Sequence, residues 1–273
     1  MGEIEYISYI NYCFKNDKLI RWPDGAMPLT LFVAPFHWYR ERGREYEYYS
    51  MVETAVNTWE RASGGRIRFQ FVQNLFDSCI NLDWKRVERR SLGHCEFNLD
   101  RDGRLFSAEV QIGLSDGLLH SEYDDQNEVL HTIIHEIGHA LGLQHSPFRE
   151  DIMYVPHQYG VTRISKRDAT TIKWLYQLPY GATKQELPSA LGMPGNHDID
   201  SIIYLLETGK KPEPQQQQTQ QKSVGDGDSL LHKEQIHLER LNKFNLSLQN
   251  FSVPDEAQEF FKKLRIRKDF GER

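Results

Sequence analysis

Cysteine is scarce in this chain of 273 residues: Cys13, Cys79 and Cys95 are the three that the sequence holds. An odd number leaves one thiol unpaired in any pairing scheme, and three cysteines are too few for the disulfide-stapled class of small secreted domains. Because 39% of the residues are hydrophobic, the chain has enough apolar side chains to build a core of its own. We therefore expect a fold that depends on its core and not on disulfides.

Long hydrophobic runs are missing as well. No stretch reaches the roughly 20 apolar residues of a membrane-spanning helix, and the start MGEIEYISYI lacks the basic and apolar regions of a secretory signal. The expectations are no membrane span and a cytoplasmic location by default, with non-standard secretion left open. Positive charge is not in excess either, since the formal net charge is −6, and this argues against general nucleic-acid binding.

Internal repeats are absent, and a shift in composition divides the chain into parts. Residues 1–182 are rich in aromatic and strand-like runs and form the predicted folded domain. Residues 183–228 are predicted to be a low-complexity linker because they become polar and include a glutamine-rich stretch. Residues 229–273 show leucines and isoleucines at helical spacing, which predicts a helical C-terminal extension, ordered throughout or only in part.

Strand and helix patterns are interspersed in the first part, which predicts an α/β or α+β fold. Strands are expected where apolar residues run or alternate, and helices where they recur every three to four positions. The strand 107–112 is short and is expected to lie at a sheet edge. The predicted strands are 29–34, 67–71, 79–84 and 107–112, and the predicted helices are 46–61, 127–141 and one that Ser165 and Asp168 open as a capping box.

The helix 127–141 carries two histidines and a glutamate in the spacing His135-Glu136-x-x-His139. Residues four apart on a helix differ by about 40° in rotation and about 6 Å in rise, so both imidazoles leave the same face and can bind one ion. Glu136 projects beside that ion, where it can accept a proton from water and later donate it to a leaving amine. This spacing predicts a zinc site with Glu136 as the catalytic residue.

A third ligand is predicted at His145, six residues after His139. On a continuous helix it would point about 240° away, so the helix must end first. Gly142 is suited to turn the chain because, without a Cβ atom, it adopts positive φ easily. Three histidines leave a fourth zinc position open, as in catalytic sites, and the predicted chemistry is hydrolysis by metal-activated water.

The stretch HEIGHALGLQHS (residues 135–146) resembles the extended zinc motif of the metzincin peptidases. Ser146, directly after the third histidine, resembles the residue that the matrixins, the matrix metalloproteinase-like group, have at this position. The sequence Asp151-Ile152-Met153-Tyr154 resembles their Met-turn. The resemblance covers most of residues 20–180. It implies a twisted, mostly parallel five-stranded sheet with long helices, and it implies that Met153 supports the metal site without binding the ion. Met153 also fits a packed core position.

The resemblance further implies where substrate binds. Pro156 and Tyr159 fall where matrixins form the wall of their main specificity pocket, although the interval here is one residue longer than the usual Pro-x-Tyr. Ala108 and Val110 lie on the expected edge strand, and we expect this strand to pair with the backbone of an extended substrate.

Other family features are not matched. None of the three cysteines stands in a motif like the one around the propeptide cysteine that blocks the zinc of matrixins. How the activity is restrained is therefore undetermined. His94 alone stands near the place of a second, structural zinc, and one catalytic zinc is therefore expected. The turn Asp100-Arg101-Asp102-Gly103 fits a calcium loop or a plain polar turn, which leaves calcium open.

The function that these residues favour is that of a zinc endopeptidase acting on polypeptides. Two alternatives remain: a non-catalytic zinc- or peptide-binding protein with the same fold, and a metal-dependent hydrolase of a non-protein amide. The presence of both Glu136 and Gly142 favours catalysis. The sequence leaves the physiological substrate, the cleavage specificity and the oligomeric state undetermined.

Overall fold

The computed structural model describes residues 7–36, 43–87, 91–115, 125–193 and 198–209. The predicted helical extension at 229–273 and the linker from residue 210 onward lie outside the described residues. Within the described ranges, no helix is both long and apolar enough to span a membrane.

A five-stranded sheet forms the centre of the fold. Its strands are β3 (Leu29–Val33), β4 (Phe69–Val72), β5 (Ile80–Arg86), β6 (Gly93–Leu99) and β7 (Leu105–Leu114). They lie in the order β4-β3-β5-β7-β6, parallel except for β6, which runs antiparallel to β7. A separate ribbon pairs β1 (Phe14–Lys15) with β2 (Lys18–Leu19). The expected α/β fold with a mostly parallel five-stranded sheet is confirmed.

Two long helices contact each other, and the second also packs on the sheet. The helices of the described residues are α1 (Glu45–Ala62), α2 (Gln126–Ala140), α3 (Lys166–Leu175), α4 (Glu186–Ala190) and α5 (Ile199–Thr208). On α1 the residues Val52, Val56 and Trp59 recur at helical spacing and are buried. The indole N–H of Trp59 donates to the carbonyl of Ile134 at 2.9 Å, which ties α1 to α2.

The first part of the predicted linker contains two helices. Residues 183–193 and 198–209 include α4 and α5, whose apolar faces bury Leu187, Ile202 and Ile203, and they belong to the same compact unit as the sheet. The composition there is more polar, but α5 contacts the chain start through buried hydrogen bonds between Asp200 and residues 8–11. The prediction of a linker at 183–209 is therefore wrong.

The strand 107–112 is not at an edge. β7, which contains it, pairs with β5 on one side and with β6 on the other, so Ala108 faces Ile80 and Phe97 across the ladders. Ala108 and Val110 are buried, at 0% and 1% exposure. The expectation that these two residues pair with substrate is wrong, because the preceding strand β6, the hairpin partner of β7, occupies the outer position.

Candidate metal centre

Three histidines converge at the end of α2. The ring nitrogens that His135, His139 and His145 can offer to a metal all lie within 4.8 Å of one another. The Nε2 atoms of His139 and His145 are 3.1 Å apart. The structure thus brings together the three residues that the spacing in the sequence singled out.

The turn after α2 places His145. Gly142 has φ +99°, a conformation that other residues rarely adopt, and a Cβ atom there would lie 2.5 Å from the carbonyl oxygen of Ile20. The predicted role of Gly142 as the residue that turns the chain is confirmed. After this turn the backbone doubles back, and the ring of His145 lies 4.7 Å from that of His139 between centroids.

Backbone carbonyls orient two of the imidazoles. Nδ1 of His135 lies 2.8 Å from the carbonyl oxygen of Ile152, and Nδ1 of His139 lies 2.8 Å from that of Leu143. Because a carbonyl oxygen only accepts, each Nδ1 carries the proton and each Nε2 keeps its lone pair for a metal. Such outer partners fix the tautomer and raise the basicity of metal-bound histidines in general.

Burial keeps the three histidines neutral. It lowers the pKa of His135 well below its ordinary value, that of His139 to about 4 and that of His145 by a smaller margin, and the mutual proximity of the rings adds to the first two shifts. Neutral imidazoles with free Nε2 lone pairs are what zinc binds, and three of them leave one tetrahedral position open. The donor set therefore fits a zinc ion.

Glu136 lies beside the histidines and is 7% exposed. Burial raises the pKa of its carboxyl to about 8, and no donor among the described residues counters this effect. Its neighbour across the gap is Gly93 of β6, where a Cβ atom would lie only 2.7 Å from Cγ and Oε1 of Glu136. The glutamate is thus held close to the outer strand with little spare room.

The loop after His145 lies under the site. Ser146 N–H donates to the carbonyl of Met153 at 2.9 Å, which closes this loop. Met153 is fully buried, and its sulfur occupies the space that a side chain on Gly138 would need, 2.5 Å from the Cβ position. The structure thus places Met153 against the C-terminal end of α2 as a packed side chain, next to the histidines that α2 carries.

A cavity of about 620 Å³ opens in front of the histidines. Pro156 lines it, as predicted for a pocket residue, whereas Tyr159 is 62% exposed and lies outside the lining that the described residues form. His157, one of the two residues between Pro156 and Tyr159, also lines the cavity and contacts the carboxylate of Glu128 at 2.5 Å. His131 lines the cavity too, and its Nδ1 donates to the carbonyl of Val161 at 2.6 Å.

The outer strand β6 is the functional element that the sequence reading missed. Gly93, His94, Cys95 and Phe97 line the cavity, and β6 has no further strand beside it in the described sheet. A signal was available: Cys95, Phe97 and Leu99 alternate with polar residues and are followed by a Gly-containing turn, which is a hairpin pattern. The cavity therefore has an open sheet edge as one wall.

His94 and the turn at residues 100–103, the places considered for a second zinc and for calcium, make ordinary contacts within the protein. His94 lies 3.1 Å from Glu96 on the exposed face of β6. The carboxylate of Asp100 accepts from the guanidinium of Arg104 at 2.6 Å and from the N–H of Asp102 at 2.8 Å, which is the geometry of a polar turn. Both groups are thus engaged within the protein.

Comparison with known proteins places these features in a family. The matrixin family model matches residues 35–177. Relatives named as matrix metalloproteinases come from Trichoplusia ni ascovirus 2c (26% identity, 60% of this chain and 38% of the relative) and Heliothis virescens ascovirus 3e (29%, 52% and 33%). A third, from Invertebrate iridescent virus 3, is 42% identical over 43% of this chain and 35% of its own length.

The match thus spans between 33% and 38% of the length of these relatives. The residues matched by the family model include four strands of the sheet (β4 to β7, but not β3), α2 with its histidines, and the loop that carries Met153. Segments 7–34 and 178–209 lie outside it. On the fold, the histidine cluster and the family match together, this chain belongs to the matrixin family.

Proposed function

We propose that this chain is a zinc-dependent endopeptidase that hydrolyses polypeptides. The observation that carries the proposal is the meeting of three neutral imidazoles with a buried carboxylate, Glu136, at the wall of one cavity. The names of the relatives as matrix metalloproteinases support it. Membership of the family supports a metal-dependent protease; the zinc and the roles of single residues are our proposal.

His135, His139 and His145 would hold the zinc through their Nε2 atoms. When bound, zinc acts as a Lewis acid toward water and toward the carbonyl of the scissile peptide. The fixed tautomers of His135 and His139 keep the lone pairs aimed at the ion before it arrives, because their Nδ1 atoms are already engaged.

Glu136 would move the proton. Its carboxylate takes one proton from water as the oxygen of that water attacks the carbonyl carbon, and it returns this proton to the amide nitrogen as the C–N bond breaks. A carboxylate shielded from solvent is a stronger base than an exposed one, so the burial of Glu136 suits this role. The products are one carboxyl and one amine terminus, and no bond forms between the protein and the substrate.

The open edge of β6 would position the substrate. An extended peptide can add to an exposed strand through main-chain hydrogen bonds, whatever its side chains are. Gly93, His94 and Cys95 bring this edge into the cavity beside Glu136. This role replaces the one expected for Ala108 and Val110.

The decisive experiment combines zinc content with peptide cleavage in the full chain. The purified protein should contain zinc and cleave members of a fluorogenic peptide library, whereas Glu136→Ala should keep the zinc and lose 10²- to 10⁴-fold in kcat/KM, on the order of a general acid–base contribution. Glu53→Ala is the matched control, since Glu53 is exposed on α1. A zinc-loaded parent that cleaves no peptide would contradict the proposal and favour a binding protein.

Removal of the metal gives a second test. A strong chelator should abolish cleavage, and one equivalent of zinc should restore it, because the three neutral histidines need no other group to rebind the ion. Activity that persists in protein shown to be free of metal would contradict a metal-dependent mechanism. Recovery with calcium but not with zinc would contradict the assignment of the ion.

A further inference from the structure

Residues 8–10 are buried against the part of the molecule that follows the candidate metal centre. Tyr9 is 0% exposed, its hydroxyl donates to Oδ1 of Asp168 at 2.8 Å, and its backbone N–H donates to Oγ1 of Thr171 at 3.1 Å. Both partners lie on α3. The segment that carries Tyr9 precedes the residues that the matrixin model matches, so family membership by itself does not account for this contact.

Asp168 connects this contact with the loop under the metal site. Its other oxygen, Oδ2, accepts from the N–H of Ile152 at 2.8 Å and from the N–H of Ser165 at 2.8 Å. The carbonyl of Ile152 in turn accepts from Nδ1 of His135 at 2.8 Å. An unbroken path of hydrogen bonds therefore runs from Tyr9 through Asp168 and Ile152 to a zinc ligand.

The opposite end of the path is held by α5. The carboxylate of Asp200 accepts from the hydroxyl of Ser8 and from the backbone N–H groups of Ile10, at 3.0 Å, and Asn11, at 3.2 Å. These residues flank Tyr9 on both sides, and Asp200 is 5% exposed. Since α5 also lies outside the family match, two segments beyond the matched residues hold Tyr9 in position.

We propose that Tyr9 is a positioning residue for the zinc site, acting through Asp168 and Ile152 on the imidazole of His135. The inference rests on the proposed role of His135 as a zinc ligand. Among the described residues, the Tyr9 hydroxyl is the one donor to Oδ1 of Asp168. Without the Tyr9 hydroxyl, the buried carboxylate of Asp168 loses a hydrogen-bond donor. A buried carboxylate that lacks a donor is unfavourable, so it moves toward another donor or takes up a proton.

A shift of Asp168 reaches the metal because Ile152 is held at both ends. Its N–H follows the carboxylate, and its carbonyl sets the orientation of His135, so a change at one end turns the ring at the other. Loss of outer partners typically weakens metal binding by 10- to 100-fold, and the more distant Tyr9 is expected at the low end of this range. The competing interpretation is that Tyr9 only fills the core and contributes to stability alone.

The test is the variant Tyr9→Phe in the full chain, which keeps the ring and removes the hydroxyl. Zinc affinity is measured by competition with a chelator, and the visible absorption of the cobalt(II)-substituted protein reports on ligand geometry. We expect about tenfold weaker zinc binding and a shifted cobalt spectrum. Tyr49→Phe removes a hydroxyl near the carbonyls of Val33 and Ala34 and serves as one control. Ile203→Val loosens the core at α5 and serves as the other.

Zinc affinity and a cobalt spectrum equal to those of the parent, in a folded Tyr9→Phe protein, overturn the proposal. So does an equal change in Ile203→Val at matched loss of stability, since that would make the effect one of stability alone. If Tyr9→Phe does not fold, Ser8→Ala decides, because it removes one contact to Asp200 and is expected to change both readouts in the same direction. A parent that binds zinc but cleaves no peptide contradicts the proposed function and leaves these readouts intact.

Discussion

Two buried carboxylates lie on two helices of this molecule in contrasting surroundings. Glu136 on α2 is 7% exposed, and no hydrogen bond to its carboxylate is found among the described residues. Asp200 on α5 is 5% exposed and accepts hydrogen bonds from Ser8, Ile10 and Asn11. The degree of burial is nearly the same, but Glu136 faces a cavity and Asp200 faces three donors.

The contrast separates a structural carboxylate from a functional one. A buried carboxylate is costly unless donors replace the water that it has lost. For Asp200 the protein supplies these donors, and the resulting hydrogen bonds hold α5 against residues 8–11. For Glu136 it does not, and an uncompensated buried group beside a cavity is a candidate for chemistry. Burial alone would have ranked the two residues equally.

The largest effect is expected from two variants compared in both activity and stability, Glu136→Gln and Asp200→Asn. Glu136→Gln should lower kcat/KM by about 10²- to 10⁴-fold, while the free energy of unfolding of the metal-free protein stays level or rises, because a neutral amide removes the cost of protonating this buried carboxyl at neutral pH. Asp200→Asn should lower the free energy of unfolding by about 1–3 kcal/mol, since its amide nitrogen cannot accept, and should cost less than tenfold in kcat/KM. Peptide cleavage and urea denaturation measure the two quantities.

The contrast between Glu136 and Asp200 would be contradicted if Glu136→Gln and Asp200→Asn lowered the free energy of unfolding by the same amount. That result would mean that Glu136 has donors in solution that match those of Asp200. The contrast would also be contradicted if Asp200→Asn lost as much activity as Glu136→Gln, since the hydrogen bonds of Asp200 would then be as important for catalysis as the carboxylate at the cavity.

A smaller effect is expected from pH. Burial raises the pKa of Asp200 from 3.8 to about 6. Because the pKa is higher in the folded state, the folded protein binds the extra proton, so the contribution of Asp200 to stability is present below about pH 4 and is lost as the pH rises through 6. A shift of this size corresponds to at most about 3 kcal/mol.

The measurement is the difference in free energy of unfolding between the metal-free parent and Asp200→Asn, from urea denaturation at several pH values. The advantage of the parent should shrink between pH 4 and pH 7, while the titration of the histidines is common to both proteins and cancels. A constant difference would show that the three donors stabilise the ionised form of Asp200 as much as burial destabilises it, and a difference that grows with pH would show that they stabilise it more.

Local patterns explain what the sequence predicts well. The three histidines lie within eleven residues, and the helix period and one glycine suffice to bring them together. The capping box of α3 is equally local: the side chain of Ser165 accepts from Asp168 N–H and the carboxylate of Asp168 accepts from Ser165 N–H, as its spacing predicts. Such features depend on neighbours in sequence, so they can be recognised before the fold is known.

Local sequence patterns do not predict features that depend on partners distant in sequence. The helix α5 stands in a polar stretch, and its hydrogen bonds through Asp200 involve residues about 190 positions away. The outer position of β6 depends on β7 pairing with β5 on its other side, and the pattern within β7 does not contain that information. Likewise, nothing near Tyr9 in the sequence indicates that its hydroxyl meets Asp168. The histidine cluster was predictable from the sequence, and the contacts that hold it were not.

The smallest expected effect concerns the room around Glu136. A Cβ atom at Gly93 would lie 2.7 Å from Cγ of Glu136 and 2.6 Å from Cγ2 of Thr132, so Gly93→Ala must displace the glutamate or β6. We expect kcat to fall about tenfold through this misplacement, with zinc content unchanged, while the control Gly25→Ala, which meets nothing within 4 Å, keeps the activity of the parent. A Gly93→Ala protein with the kcat of the parent would show that the carboxylate has space to spare. A rise in KM at unchanged kcat would assign Gly93 to the pairing of β6 with substrate, because β6 and not Glu136 would then have moved.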